Sequence, residues 1–238
     1  MAAGQVFIAL DYPDLGQALQ CAAALAPCGV RFKVGLELFC RHGPEGVAAL
    51  QRVCGPVLLD LKLHDIPHTV GRAVRGLAAL GAWGVTLHAA GGPVMLRSAV
   101  TAAAEAVGTA REARLRTLAV TVLTSLDEQV LHALGVHLPL REQVGRLASL
   151  ARAAGCDGAV CSPEEVGLLR ELVGGDFFLL TPGVRPPGVP AGDQARVGTA
   201  AVALAAGADA VVLGRAVTQT PDPPAALAQI LADLEAAP

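Results

Sequence analysis

Val57-Leu58-Leu59-Asp60-Leu61-Lys62-Leu63-His64-Asp65-Ile66-Pro67 is the stretch from which the rest of this chain is read. It begins as an apolar run that lacks the strict alternation of a half-exposed strand and is too short for a typical helix. Such a run suits a parallel strand covered on both faces. Asp60 and Lys62 stand two apart, and side chains at that spacing on an extended strand share a face. If that face is the interior of a closed sheet, a carboxylate and an ammonium are held side by side. Pro67 suits the first turn of a following helix, with Asp65 just ahead of it.

Seven further runs of the same kind lie along the chain: VFIAL from Val6, VRFKV from Val30, GVTLH from Gly84, TLAVTVL from Thr117, GAVCS from Gly158, FFLLTPG from Phe177 and AVVLG from Ala210. The Ala/Leu-rich stretches between them carry helical spacing, most clearly over residues 18–25, 70–80, 140–153 and 200–206. Ser162-Pro163-Glu164-Glu165 spells an N-cap, a first-turn proline and a capping-box glutamate, while Gly155 and Gly207 fall where helices would end. The longest gap between strand-like runs leaves room for a short extra helix over 127–134, and Ser125-Leu126-Asp127-Glu128 fits a capping box with Ser125 as the cap. Eight strand–helix alternations in a chain close to the ~250 residues usual for the class predict an α/β fold, a (β/α)8 TIM barrel. No interdomain linker interrupts residues 1–238, so a single catalytic domain is expected.

Composition narrows the function. Of 238 residues 53% are hydrophobic and 16% charged, so the chain has apolar surface enough for a large core and is not intrinsically disordered. No apolar run approaches the ~18 residues of a membrane span, and the amino terminus lacks a basic n-region and a small-residue cleavage site. These features predict a cytoplasmic protein without a membrane partner. A net charge of −3 with no Lys/Arg tract argues against nucleic acid as a partner. Six cysteines occur without a C-x-x-C pair, mostly beside small apolar residues, and read as reduced structural thiols.

In a barrel of this kind the chemistry sits where the strands end at their carboxyl side. The runs end in Asp11, Lys33, the pair Asp60 and Lys62, His88, Thr124 with Ser125, Thr181-Pro182-Gly183-Val184-Arg185, and Gly214-Arg215. Lys33, Asp60, Lys62 and Asp65 make two lysines and two aspartates that can alternate in sign, each keeping a partner while water is excluded. Each of these alone also suits an inert rim ion pair or helix start. Gly183 and Arg185 after the seventh run, with Gly214 and Arg215 after the eighth, place amides and guanidinium forks where such barrels often hold phosphate. The Pro/Gly-rich stretch 186–194 between them reads as a loop long enough for a lid, ending in the amide of Gln194. His64, His68 and His88 do not complete a metal site, because His64 and His68 straddle Pro67 and no second carboxylate or cysteine joins them.

Taken together, FIALDYPD, FKVGLELF, LLDLKLHDIPHTV, TLHAAGG, AVTVLTS, LLTPGVRPPG, AGDQARVGT and VVLGRAVTQTPDP resemble the orotidine 5′-phosphate decarboxylase family over nearly the whole chain. The D-x-K-x-x-D core is shared with related sugar-phosphate enzymes; its combination with TPGVRP and GDQ-R is more specific. Thr199-Ala200 departs from the Thr-Pro often found there in the family and touches only a helix start. The resemblance implies conversion of orotidine 5′-phosphate to UMP and CO2, the last step of de novo UMP synthesis, with no metal and no organic cofactor. Lys62 would be the proton donor, Asp60 would face the departing carboxylate, and Asp65 would reach into the other subunit of a homodimer. Lys33 and Asp11 would hold ribose hydroxyls, Ile66 and Thr69 would meet ligand, Thr69 across the dimer interface, and Thr124 and Ser125 would address the pyrimidine. Pro182 would contact substrate, and Arg185, Gln194, Gly214 and Arg215 would grip the phosphate. The rival readings are a metal-dependent sugar-phosphate decarboxylase or hexulose-phosphate synthase on the same barrel, and a nucleotide-binding barrel without catalysis.

Overall fold

The computed structural model describes residues 2–106, 114–184 and 198–236. Eight parallel strands close into a barrel in sequence order: β1 (Val6–Ala9), β2 (Arg31–Gly35), β3 (Leu58–Leu63), β4 (Gly84–His88), β5 (Arg116–Val120), β6 (Gly158–Val160), β7 (Phe178–Thr181) and β8 (Ala210–Leu213). The helices are α1 (Leu15–Leu25), α2 (Leu36–Cys54), α3 (Pro67–Ala79), α4 (Gly92–Glu105), α5 (Glu128–Ala133), α6 (Leu140–Ala153), α7 (Val166–Val173), α8 (Ala200–Ala205), α9 (Arg215–Thr218) and α10 (Pro223–Ala236). The (β/α)8 reading of the sequence is therefore correct. No helix among the described residues is long and apolar enough to cross a membrane.

The strand runs lack polar alternation because both of their faces are buried, against different neighbours. Phe7, Ala9, Leu58, Leu118, Leu180, Ala210 and Val212 form one buried cluster, while Val6, Ile8, Leu59, Leu179, Val211 and Leu213 belong to a second that includes the helices. Along each strand the two sets alternate, so the first fills the barrel and the second faces the helices. Followed toward the carboxyl ends, the interior parity passes from Leu58 to Asp60 and Lys62, and from Gly84 to Thr86. The apolar interior thus becomes polar at the end where the loops open.

Several local expectations need revision. The fifth run ends as a strand at Val120, short of the TLAVTVL stretch read from sequence. The cap of α5 is Asp127, whose carboxylate accepts from the Val130 amide at 2.9 Å; Ser125 lies two residues further out and does not cap. A carboxylate one position before the first helical residue can reach the third amide, which Ser125 cannot. The Ser162 motif opens as a 3-10 turn, Pro163–Glu165, ahead of α7, with the Glu165 carboxylate accepting from the Ser162 amide at 2.8 Å. Helix α2 is kinked where Gly43, with a φ of 54°, precedes Pro44, which hides its continuity in the sequence. Gly155 and Gly207 follow α6 and α8 with φ of 88° and 104°, the left-handed ends expected of them.

The amino-terminal end of the barrel is tied by half-buried ion pairs. Arg170 on α7 donates to the carbonyls of Gly174, Phe177 and Gly207 and, at 2.6 Å, to the Asp209 carboxylate. Asp209 also accepts from the Leu179 amide at 2.7 Å, so one arginine locks the starts of β7 and β8 to a helix. Arg170→Ala leaves Asp209 with only the Leu179 amide and takes the guanidinium from three carbonyls, with an expected loss of about 3 kcal/mol of stability. For a chain of this length the melting temperature should fall by roughly 6–12 °C, measured by calorimetry, with ligand affinity at the opposite end unchanged.

Candidate active site

A cavity of about 520 Å³ opens at the carboxyl ends of the strands. Its apolar part is Val120, Val160, Leu180 and Val212; its charged part is Asp11, Lys33, Asp60, Lys62 and Arg215. The Asp60 Oδ2 atom lies 2.9 Å from Lys62 Nζ and 3.3 Å from Lys33 Nζ, and Lys33 Nζ lies 3.2 Å from Asp11 Oδ1. The charges therefore run Lys62, Asp60, Lys33, Asp11, alternating in sign across β3, β2 and the end of β1. Within the chain the fourth charge is Asp11. Asp65 is exposed and accepts from the Ile66 amide at 2.6 Å, outside the pocket. Strand geometry explains the placement: Asp65 lies past the end of β3, whereas Asp11 follows β1, which pairs directly with β2.

Lys33 is only 8% exposed. Burial by itself would lower its pKa, but the carboxylates of Asp60 and Asp11 outweigh burial and hold it above the ordinary lysine value. Burial would likewise raise Asp60, and Lys33 and Lys62 together with hydrogen bonds from Lys62 and Thr86 hold it below the ordinary carboxylate value. Gly35 makes room for this arrangement, since a Cβ there would stand 2.7 Å from Asp11 Oδ1 and 3.3 Å from Lys33 Nζ. His88, at the end of β4, is pushed below its ordinary value by burial and by the neighbouring His64 and Lys62. The His64 and His88 rings stand 5.6 Å apart, and among the described residues no three His, Cys, Asp or Glu side chains are grouped to hold a metal ion.

Of the residues singled out from sequence, Asp11, Lys33, Asp60, Lys62, Thr124, Pro182, Gly214 and Arg215 line this cavity. Asp65, Ile66, Thr69 and Ser125 are exposed and do not. Arg185 and Gln194, with the whole of 186–194, lie outside the described residues. The cavity also contains groups that sequence reading passed over, among them Cys161, Gln219 and Thr86. Thr86 carried a signal: it is a polar residue between Val85 and Leu87 in a buried run, on the same parity as His88. Gln219 carried none, since it follows the short helix α9 in an irregular stretch.

A closed (β/α)8 barrel with a charged, half-apolar pocket at the carboxyl ends of its strands is the architecture of the barrel enzymes. Residues 4–230 match the family described as orotidine 5′-phosphate decarboxylase / HUMPS, and the chain belongs to that family. It is 51% identical over 234 residues to an orotidine 5′-phosphate decarboxylase of Thermobifida fusca (strain YX), covering 98% of this chain and 97% of that one. The enzyme of the same name from Halorhodospira halophila is 50% identical over 233 residues, covering 98% and 97%. A crystal structure of orotidine 5′-phosphate decarboxylase from Lactobacillus acidophilus superposes with a TM-score of 0.84 at 38% identity, covering 97% of this chain and 99% of that one.

The charge chain predicts a characteristic dependence of stability on pH. Asp60 is depressed in the fold, so its contribution is present above the unfolded carboxylate value near ~4 and is lost as pH falls below it. Lys33 is raised, so its contribution is present below the unfolded value near ~10.4 and is lost as pH rises above it. Denaturant unfolding of wild type and Asp60→Asn should therefore differ by about 3 kcal/mol, flat between roughly pH 5 and 9, with the gap closing below about pH 4.

Proposed function

We propose that this chain converts orotidine 5′-phosphate to UMP and CO2 as a cytoplasmic enzyme, one catalytic domain spanning 1–238, without nucleic-acid or membrane partners. The observation that carries this reading is the Lys62 ammonium held 2.9 Å from Asp60 in a pocket that is charged on one side and apolar on the other. Loss of CO2 from C6 of the pyrimidine leaves a carbanion with no electron sink in the substrate, and the sequence holds no recognisable motif for a cofactor that would supply one. An ammonium fixed beside C6 meets that charge as it develops and then donates its proton, an interaction stronger in the transition state than in the ground state. Asp60 faces the departing carboxylate and keeps Lys62 aimed. Lys33 and Asp11 are placed to take ribose hydroxyls, and Thr124 and Pro182 to border the base.

The cavity volume falls within the roughly 300–1,000 Å³ usual for sites of small ligands. Gly214 and Arg215 at the end of β8 supply an amide and a guanidinium for the 5′-phosphate, and we assign Arg185 and Gln194 to the same group from the family resemblance. Asp65, Ile66 and Thr69 stand outside the chain's own pocket, with Ile66 66% exposed, which supports their serving the site of a second copy in a homodimer. We assign Ser125, exposed beside the pocket-lining Thr124, to the pyrimidine from the family resemblance alone.

Purified protein in EDTA should consume orotidine 5′-phosphate, followed by absorbance; turnover that requires added Mg²⁺ would favour the metal-dependent sugar-phosphate chemistry instead. Lys62→Ala should lower kcat at least about 100-fold with the fold intact, since a positioned acid supplies ~10²- to 10⁴-fold. In a shared-site dimer, Lys62→Ala and Asp65→Ala chains complement each other, because each mixed dimer has one doubly altered and one wild-type site. After exchange at random, activity should recover to roughly a quarter of wild type per total site, with mixed dimers verified by mass. Mixed dimers without recovery would place Lys62 and Asp65 in one chain's site.

A further inference from the structure

The geometry points to Thr86 as a positioning residue: its hydroxyl sets both the rotamer of the Asp60 carboxylate and the backbone that presents Lys62. This inference rests on the decarboxylation proposed above and adds to it a residue outside the D-x-K-x-x-D motif.

The argument begins with the ladder between β3 and β4. Leu59 pairs with Val85 and Leu63 with Leu87, so four steps along β3 match two along β4. The intervening Asp60, Leu61 and Lys62 are thrown out of register, as in a bulge. Lys62 takes a φ of 49°, and among the described residues it is the non-glycine with a left-handed backbone. Such a conformation costs on the order of 1 kcal/mol or more and persists only where the surroundings enforce it.

Thr86 stands between the two register points and is 1% exposed. Its Oγ1 accepts from the Lys62 amide at 2.9 Å and donates to Asp60 Oδ1 at 2.9 Å. Both directions are forced, because an amide only donates and a carboxylate only accepts. The hydroxyl thereby replaces the ladder partner that the bulge takes from Lys62. It also occupies one carboxylate oxygen, leaving Oδ2 for the ammonium groups of Lys62 and Lys33. One side chain on β4 thus ties the strained backbone of the proton donor to the orientation of its counter-charge.

Thr86→Val keeps the shape and removes the hydroxyl. It should lower kcat by about 10- to 100-fold, the range of a hydrogen bond to a charged group, with KM changed less than about threefold. Thr86→Ser, which restores the donor and acceptor, should recover most of that loss. The charged and titratable groups facing Asp60 are Lys33 from β2, Lys62 from β3 and His88 from β4, with Asp11 behind Lys33 and His64 beside His88. Losing the Thr86 hydrogen bond removes one of the contacts that favour ionised Asp60 while these others stay. The acid limb of the kcat–pH profile should accordingly move to higher pH in Thr86→Val and return in Thr86→Ser.

Near-UV circular dichroism and the melting temperature report whether the variants fold. If Thr86→Val does not, Thr86→Ala removes the same hydroxyl without a methyl against Asp60 and is read in the same way. The proposal is overturned if the hydroxyl-free variant keeps kcat within about twofold and an unmoved acid limb, or if Thr86→Ser is as impaired as Thr86→Val. A wild-type chain without decarboxylase activity would instead remove the function on which the proposal rests.

Discussion

One carboxylate oxygen shared by two ammonium groups governs this site. Asp60 Oδ2 lies within 3.3 Å of both Lys33 and Lys62. Two cations so close would repel each other strongly in a pocket with an apolar wall, and a lone buried carboxylate would take up a proton. Together, and with Asp11 on the far side of Lys33, each charge has a neighbour of opposite sign. Such an arrangement stabilises the fold only weakly compared with an apolar core, because desolvation offsets most of the attraction. What it does achieve is placement: an ammonium held at a stated point before substrate arrives, which is where electrostatic catalysis draws its advantage.

The barrel separates the tasks of its two ends. At the amino-terminal end Arg170 with Asp209, and Arg114 with Asp157, close their guanidinium and carboxylate groups on each other and on backbone carbonyls and amides. The first pair holds α7 to the starts of β7 and β8, and the second holds the segment ahead of β6 to β5. At the carboxyl end the charges point into open volume, and a β3 bulge carries a left-handed lysine. Strain concentrated where chemistry is proposed, and ion pairs closed on backbone groups elsewhere, is the division expected when rigidity must support an exposed reactive group.

Much of this could be read from the linear chain because periodicity is local physics. Eight runs apolar on both faces, separated by stretches with helical spacing, leave few architectures open. The spacing of two between Asp60 and Lys62 pointed to a shared interior face, and both do line the pocket, although Lys62 gets there through a bulge rather than by regular strand parity. Gly155 and Gly207 marked helix ends because glycine adopts a positive φ without a Cβ clash.

What distance along the chain could not decide was which groups meet. Asp65, three residues from Lys62, is exposed, whereas Asp11, fifty-one positions before it, completes the charge chain because β1 and β2 are adjacent in the closed sheet. Thr86 and Lys62 come together through a register shift that no single-strand pattern encodes. Asp127 rather than Ser125 caps α5 because the backbone leaving β5 runs on before turning. The sequence by itself determined the barrel and the strand face on which its charges lie, through the period of two and the alternation of elements. The pairing of those charges was left to tertiary structure, because partners are chosen by strand adjacency and register, which exist only once the sheet has closed.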